Sequence, residues 1–137
     1  MHDTMTGTKP LLRAEGLVKH YPILGGVFLK EIAAVKAVDG VDISINKGET
    51  LGLVGESGCG KSTLGRAIVR LEEPTAGAVY FNDENILEYT PTQVRSLRKE
   101  MQIVFQDPFS SLNPRKTVAH IIGEPLLVHG VGDRRER

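Results

Sequence analysis

The sequence predicts an α/β fold, and three observations predict it. A short apolar run, Thr50-Leu51-Gly52-Leu53-Val54, enters a glycine-rich loop. Directly after the loop, Leu64, Ala67, Ile68 and Leu71 recur at the spacing of one helix face. Further strand-like segments lie on both sides of this pair. With 137 residues there is room for one domain of ordinary size. The 17 Lys and Arg residues balance the 17 Asp and Glu, with no obvious basic face, so a nucleic-acid role has no electrostatic support. A single cysteine, Cys59, excludes an internal disulfide framework and fits a reducing compartment. The N-terminus lacks the basic and apolar regions of a secretory signal. No apolar run approaches the roughly 18–20 residues that span a bilayer. A soluble chain is expected, with any membrane association made through a partner.

The elements follow in order. Residues 1–10 are polar and read as a frayed leader. Leu11 to Tyr21 has strand character, and Gly25-Gly26 reads as a turn within the excursion from Pro22 to Lys30. Apolar and polar residues alternate over Val38 to Ile45, the pattern of a half-buried strand, and Asn46-Lys47-Gly48 turns the chain. Thr50 to Val54 is expected as a strand buried on both faces, because it is apolar without alternation. The helix after the loop is broken by Glu72-Glu73-Pro74-Thr75-Ala76-Gly77, and Ala78 to Phe81 forms a short strand. Thr90 is a cap with Pro91 as the first helical residue, the helix running toward Lys99. Met101 to Phe105 is another strand candidate, followed by a loop to Arg115. Thr117 to about His129 is helix-like, with Val118, Ile121 and Ile122 on one side and a break expected near Pro125.

The loop itself carries chemistry. Gly55-Glu56-Ser57-Gly58-Cys59-Gly60-Lys61-Ser62 fits G-x-x-x-x-G-K-[ST] at every fixed position. Triphosphate oxygens need several convergent donors, and backbone N–H groups of a tightly wrapped loop supply them. The following helix adds its unpaired N-terminal N–H groups and the positive end of its dipole. Lys61 brings a point charge for the β- and γ-phosphates. The Ser62 hydroxyl can ligate Mg²⁺, whose other ligands are waters and phosphate oxygens. A chance match somewhere in the chain has a probability on the order of one per cent at average composition. The position between an apolar strand candidate and an amphipathic helix makes chance rarer still. A P-loop NTPase core is therefore expected.

A GTPase should carry N-K-x-D, and the nearest string, Asn46-Lys47-Gly48-Glu49, lacks the Asp and precedes the loop. A small nucleotide kinase usually places its P-loop on the first strand. Here a long strand-like stretch comes first, so an N-terminal antiparallel β subdomain is expected. At this point the chain resembles the ATP-binding subunits of ABC transporters, most closely those of oligopeptide and dipeptide importers. The residues that carry the resemblance are Gly52 to Thr63, Leu71-Glu72-Glu73-Pro74-Thr75-Ala76-Gly77, and Val104-Phe105-Gln106-Asp107-Pro108-Phe109-Ser110-Ser111-Leu112-Asn113-Pro114-Arg115. The last string is the most specific to the peptide branch. Gly26-Val27-Phe28-Leu29-Lys30 resembles an insertion typical of it. The match runs from about Leu11 to the end.

The resemblance implies roles. ATP with Mg²⁺ is the implied cofactor, held by Gly55, Glu56, Ser57, Gly58, Cys59, Gly60, Lys61, Ser62 and Thr63. Tyr21 matches the family's adenine-stacking aromatic; read without the family, a strand-end tyrosine packing on the neighbouring excursion is the plainer account. Gln106 matches the Q-loop glutamine, which touches Mg²⁺ and the attacking water. An amide can orient water without acting as a base. Lys61 and Gln106 are thus the catalytic candidates, and Ser62 and Gln106 the metal candidates. Thr63 either bonds an α-phosphate oxygen or caps the helix. Cys59, among the loop's donors, is either a reactive thiol that ATP would shield or an inert filler. Arg66 and Arg70 read as solvated charges, and His20, His120 and His129 have no ligand-like spacing. Ala76, Ala78 and Asn82-Asp83-Glu84 depart from the family pattern in a surface hairpin.

The family's signature motif, Walker B carboxylates and switch histidine do not occur after Gln106. Residues 11–137 therefore read as a partial ATP-binding domain, truncated within its helical subdomain and inactive alone, with an unpaired sheet edge and an exposed apolar helix face. The implied partners are a paralogous or identical ATPase subunit, integral membrane permease subunits and, indirectly, an extracytoplasmic peptide-binding protein. The implied place is the cytoplasmic face of the membrane. The complete protein would hydrolyse ATP to drive peptide uptake. The alternative from another class is a truncated nucleotide-binding module without turnover.

Overall fold

The computed structural model describes residues 9–25, 30–107 and 111–133. They form two compact units that divide between Tyr89 and Thr90. The expected leader lies outside the described residues except for Lys9 and Pro10, and Lys9 pairs with Asp83 at 2.8 Å.

The first unit is built on a four-stranded antiparallel sheet. Strand β1 spans Leu12–Gly25 and β2 spans Lys30–Ile45. Strand β3 spans Ala76–Phe81 and β4 is the short Glu84–Asn85, in the order β2-β1-β3-β4. Both long strands exceed their expected lengths. They form one extended hairpin, in which Tyr21 pairs with Val35 and Gly25 with Lys30, so each supplies the other's ladder beyond the apolar stretch that sequence periodicity detects. Of the expected turn, Gly25 is the last residue of β1, while Gly26 and most of the insertion lie outside the described residues.

Two glycines explain how these strands keep one face inward. Gly16 and Gly40 sit at φ 53 and φ 72, where a side chain would be strained, and the register slips beside both. The slip lets Ala14 and Leu17, three residues apart, both be buried. The Gly16 N–H donates to Asp42 Oδ1 at 2.6 Å, which satisfies a donor freed by the bulge.

Helix α1 spans Lys61–Ile68 and lays Leu64 and Ala67 against β1 and β2. With Leu12, Ala14, Leu17, Val38, Val79 and Ile86 they make the core of this unit. The helix stops before Leu71, which is exposed, because Arg70 turns left-handed at φ 54. Arg70 is not the solvated charge expected. Its side chain is 15% exposed, pairs with Glu73 at 2.8 Å, and donates to the carbonyls of Ile86 and Tyr89 at 2.8 and 2.9 Å. It thereby ties the end of α1 to the 3₁₀ turn Ile86–Glu88. The β3–β4 hairpin turns through Asn82 and Asp83 at φ 51 and φ 67. Asn and Asp tolerate this region, so the glycine usual in that turn is dispensable.

Thr50 to Val54 does not form the buried strand that its composition predicts. The segment is irregular, and Leu51, Leu53 and Val54 are exposed, Val54 at 95%. A strand needs a ladder partner, and among the described residues the four strands pair only with one another.

In the second unit, helix α2 spans Pro91–Leu97. The Gln93 N–H donates to Thr90 Oγ1, and the Thr90 N–H donates to Gln93 Oε1 at 2.9 Å, a reciprocal capping box. Leu97 and Met101 are buried. The strand expected over Met101 to Phe105 is likewise absent, with Val104 94% exposed. Helix α3 spans Val118–His129, capped by Thr117 and closed by the left-handed Gly130. It runs through Pro125 without the expected break. Several ties hold the turns around the proline. Lys116 pairs with Glu124 at 2.7 Å, and Arg95 and Lys99 donate to the carbonyls of Val128 and His129. No residue of α3 is buried, and Val118, Ile122 and Leu127 are exposed.

Candidate functional site

The glycine-rich loop folds back on its own lysine. The Lys61 ammonium donates to the carbonyls of Gly55 at 2.7 Å and Glu56 at 2.6 Å, and lies 3.4 Å from Cys59 Sγ. The Cys59 N–H closes the turn on Glu56 O at 3.3 Å. Sequence dictates this wrap. Gly58 and Gly60 hold φ 82 and φ 97, and a side chain at Gly60 would collide with the Ala37 carbonyl of β2. A Cβ at Gly55 would lie 2.6 Å from Cys59 Sγ. Glycines thus let the loop close and let the start of α1 seat against β2.

Helix α1 begins at Lys61 with Gly60 as a left-handed N-cap, no side-chain cap and no acidic residue in its first turn. No acidic residue of that turn offsets the positive end of the helix dipole. Ser62 and Thr63 add two hydroxyls to the same turn, Ser62 exposed and Thr63 half-buried. Backbone donors, one ammonium and two hydroxyls, with no acidic residue in the first turn of α1, make a donor set that suits a polyphosphate with its Mg²⁺. Cys59 is exposed.

Tyr21 lies within β1, not at its end, and is 37% exposed. Its hydroxyl donates to Glu72 Oε2, just past α1. That hydrogen bond to an anion is the chief reason its pKa rises above the usual tyrosine value, while the Thr63 side chain and Arg66 pull the other way. Glu72 answers in kind. Its carboxyl sits below the usual range because Tyr21 donates to it and Arg66 pairs with it at 3.2 Å. Arg66 is therefore a paired charge, not merely a solvated one. The Lys19 ammonium stands 5.0 Å from the Tyr21 ring centroid. Sequence reasoning missed Glu72 and Lys19. Glu72 stood in a string read as a helix breaker and as part of the family resemblance, and nothing local in it signals a partner 51 residues away.

Tyr21, the loop and α1 belong to the first unit, and Gln106 belongs to the second. Gln106 is exposed at a bend that follows the irregular 101–105 segment, with Pro108, Phe109 and Ser110 outside the described residues. Among the described residues no cluster of His, Cys, Asp or Glu could hold a metal by itself, and no helix is long and apolar enough to cross a membrane. His20 bonds Asp39 at 2.8 Å.

A strand hairpin, a lysine-centred glycine loop and a helix opened by Lys-Ser-Thr define the class of a phosphate-loop nucleotide-binding protein. Comparison then places the chain: a family model described as ABC transporter matches residues 38–136, and the chain belongs to that family. It is 49% identical over 135 residues to the oligopeptide transport ATP-binding protein AppF of Bacillus subtilis, covering 98% of this chain and 41% of that protein. It is 47% identical over 129 residues to the dipeptide transport ATP-binding protein DppF of Escherichia coli, covering 94% of this chain and 38% of that one. The chain thus spans about two fifths of the length of these relatives. The peptide-branch resemblance read from Val104 to Arg115 agrees with them. A dimeric ATP-binding cassette in a post-hydrolysis state, bound to ADP and Pi, shares the fold. The TM-score is 0.72 at 24% identity, over 91% of this chain and 51% of that one.

Proposed function

We propose that this chain carries the nucleotide-binding region of an ATP-binding subunit of a peptide importer. It binds Mg-ATP on Gly55 to Thr63, with Tyr21 beneath the base. The observation that carries the reading is the loop closed around Lys61 at the open start of α1. In that arrangement the ammonium exchanges the Gly55 and Glu56 carbonyls for phosphate oxygens, and the loop N–H groups and first turn of α1 hold the remaining charge. The hydroxyl of Ser62 and the amide of Gln106 would each serve as an Mg²⁺ ligand, and Thr63 would bond the α-phosphate. Mg²⁺, when bound, would supply charge neutralisation on the phosphates. Gln106 orients the attacking water.

In the complete protein, hydrolysis drives uptake of oligopeptides or dipeptides. There the subunit pairs with a like ATPase subunit and with membrane permeases at the cytoplasmic face, and an external peptide-binding protein delivers the cargo. The names of the relatives support this reading, as do the peptide-branch residues around Gln106.

The test is equilibrium binding of a fluorescent ATP analogue with Mg²⁺. Lys61→Ala removes several charge-assisted bonds and should weaken binding on the order of a hundredfold. Affinity unchanged in the variant would refute the reading. This sequence holds no Walker B carboxylate or general base, so the 137-residue chain should bind without releasing phosphate. Lys61-dependent phosphate release would mean that other residues supply the base.

A further inference from the structure

Tyr21 is fixed by more than its strand. Around it, β1 is stitched to the segment 72–75 at successive residues. The Thr75 N–H donates to Val18 O at 2.7 Å, and Lys19 Nζ donates to Glu73 O at 2.8 Å. The His20 N–H donates to Thr75 Oγ1 at 2.9 Å, and the Tyr21 hydroxyl donates to Glu72 Oε2. Glu72 accepts with its other oxygen from Arg66 of α1 at 3.2 Å. The chain of bonds therefore runs from the Tyr21 ring through one carboxylate to the helix that the phosphate loop opens. Lys19, two residues before Tyr21 on the same strand, places its ammonium at the ring.

We propose that Glu72 is a positioning residue for nucleotide binding. By accepting from both the Tyr21 hydroxyl and Arg66, it fixes the tyrosine ring relative to α1, so that base platform and phosphate loop are held at one spacing. The inference rests on the reading that Tyr21 stacks on the base. Three features favour it over an incidental surface contact. The tether spans 51 residues of sequence and joins the two parts of the site. The carboxylate is only 25% exposed and has a cation on its other oxygen, so it is not free to rotate away. The bond also shifts both partners as a donor–acceptor pair requires, the carboxyl downward and the phenol upward. A stacking ring that must first be ordered costs affinity, and a ring already held does not.

The experiment compares ATP with inorganic tripolyphosphate, which has the phosphates and no base, by calorimetry on the full chain. Glu72→Ala should weaken ATP roughly two- to tenfold, the equivalent of one side-chain hydrogen bond, while tripolyphosphate binding stays unchanged. Tyr21→Phe, which keeps the ring but loses the bond to Glu72 together with the Thr63 contact, should show at least that selective loss, and the double variant should lose no more than Tyr21→Phe alone. Glu72→Gln keeps an acceptor and should retain most of the affinity for ATP. Equal loss of both ligands in Glu72→Ala would overturn the proposal, since Glu72 would then only support the fold. A Gln variant as weak as the Ala variant would overturn it as well. Tyr21→Ala separates the two levels. If it leaves the ratio of ATP to tripolyphosphate affinity unchanged, the stacking reading itself fails. If it lowers that ratio while Glu72→Ala does not, stacking stands and the tether is wrong.

Discussion

Two apolar stretches a few residues apart, Val38 to Ile45 and Thr50 to Val54, meet opposite fates. The first lies in the β1–β2 ladder, interrupted by the slips beside Gly40, with Val38 buried and Leu17 opposite Val41. The second is irregular and exposed. Apolar content does not separate them, for the second is the more continuously apolar. What separates them is the source of a partner. The hairpin brings β1 alongside β2 by local connection, whereas a strand without alternation belongs in the middle of a sheet with neighbours on both sides. None of the described residues supplies those neighbours. Met101 to Phe105 repeats the lesson in the second unit. The phosphate loop hangs between the two regimes, with an unladdered segment at its entrance and a packed helix at its exit.

The comparison is most directly broken by amide hydrogen exchange. Amides of the β1–β2 ladder, such as those of Ala14 and Ile43, should exchange at least about a hundredfold more slowly than those of Leu51 to Val54, because laddered amides need sub-global opening and unladdered ones do not. Equal protection would show that residues 50–54 are laddered in solution. Next in size are truncations. Leu17→Ala empties a fully buried site and should cost about 2–5 kcal/mol. Val54→Ala, at a position 95% exposed, should stay within about 0.5 kcal/mol. Urea midpoints measure both, and a comparable loss at Val54 would mean that it packs.

Much of the candidate site was legible because its signals are local. The loop pattern, the helix behind it and the Thr90-Pro91 cap each depend on residues within one or two turns, and each forms, though the helix ends before Leu71. Strand lengths were less legible, since the outer half of the hairpin, from Pro22 and Lys30 onward, is held by its cross-strand partner rather than by alternation. The bulges at Gly16 and Gly40 hide in sequence, because a glycine shows freedom without showing its use. The ties of Arg70 and Glu72 escape the sequence for a related reason. Both lie just past α1 where a charge is ordinarily solvated, and both are bound to groups remote in sequence, Ile86 O and Tyr21. The two strands expected and not found failed in the opposite sense. Their own residues are suitable, and the missing element is a neighbour.

The smallest effect sharpens the comparison from the laddered side. Asp39 sits on β2 opposite Val18, accepting from His20 at 2.8 Å and pairing with Lys36 at 3.2 Å. The His20 bond first, and Lys36 second, hold its carboxyl below the usual aspartate range. A lowered folded-state value means that the contribution to stability is present above the ordinary carboxylate range, near 4, and is lost as pH falls through the lowered value. Glu72 and Glu124 are lowered in the same sense, so the acid limb is shared among three sites. Asp39→Asn should therefore flatten, not abolish, the fall of the urea midpoint between pH 5 and pH 2, leaving its value at pH 7 lower than wild type by the same small amount. An acid limb unchanged in Asp39→Asn would mean that the His20–Asp39–Lys36 cluster does not hold the hairpin. The ladder would then rest on its backbone bonds and on buried apolar side chains such as Leu17 and Val38.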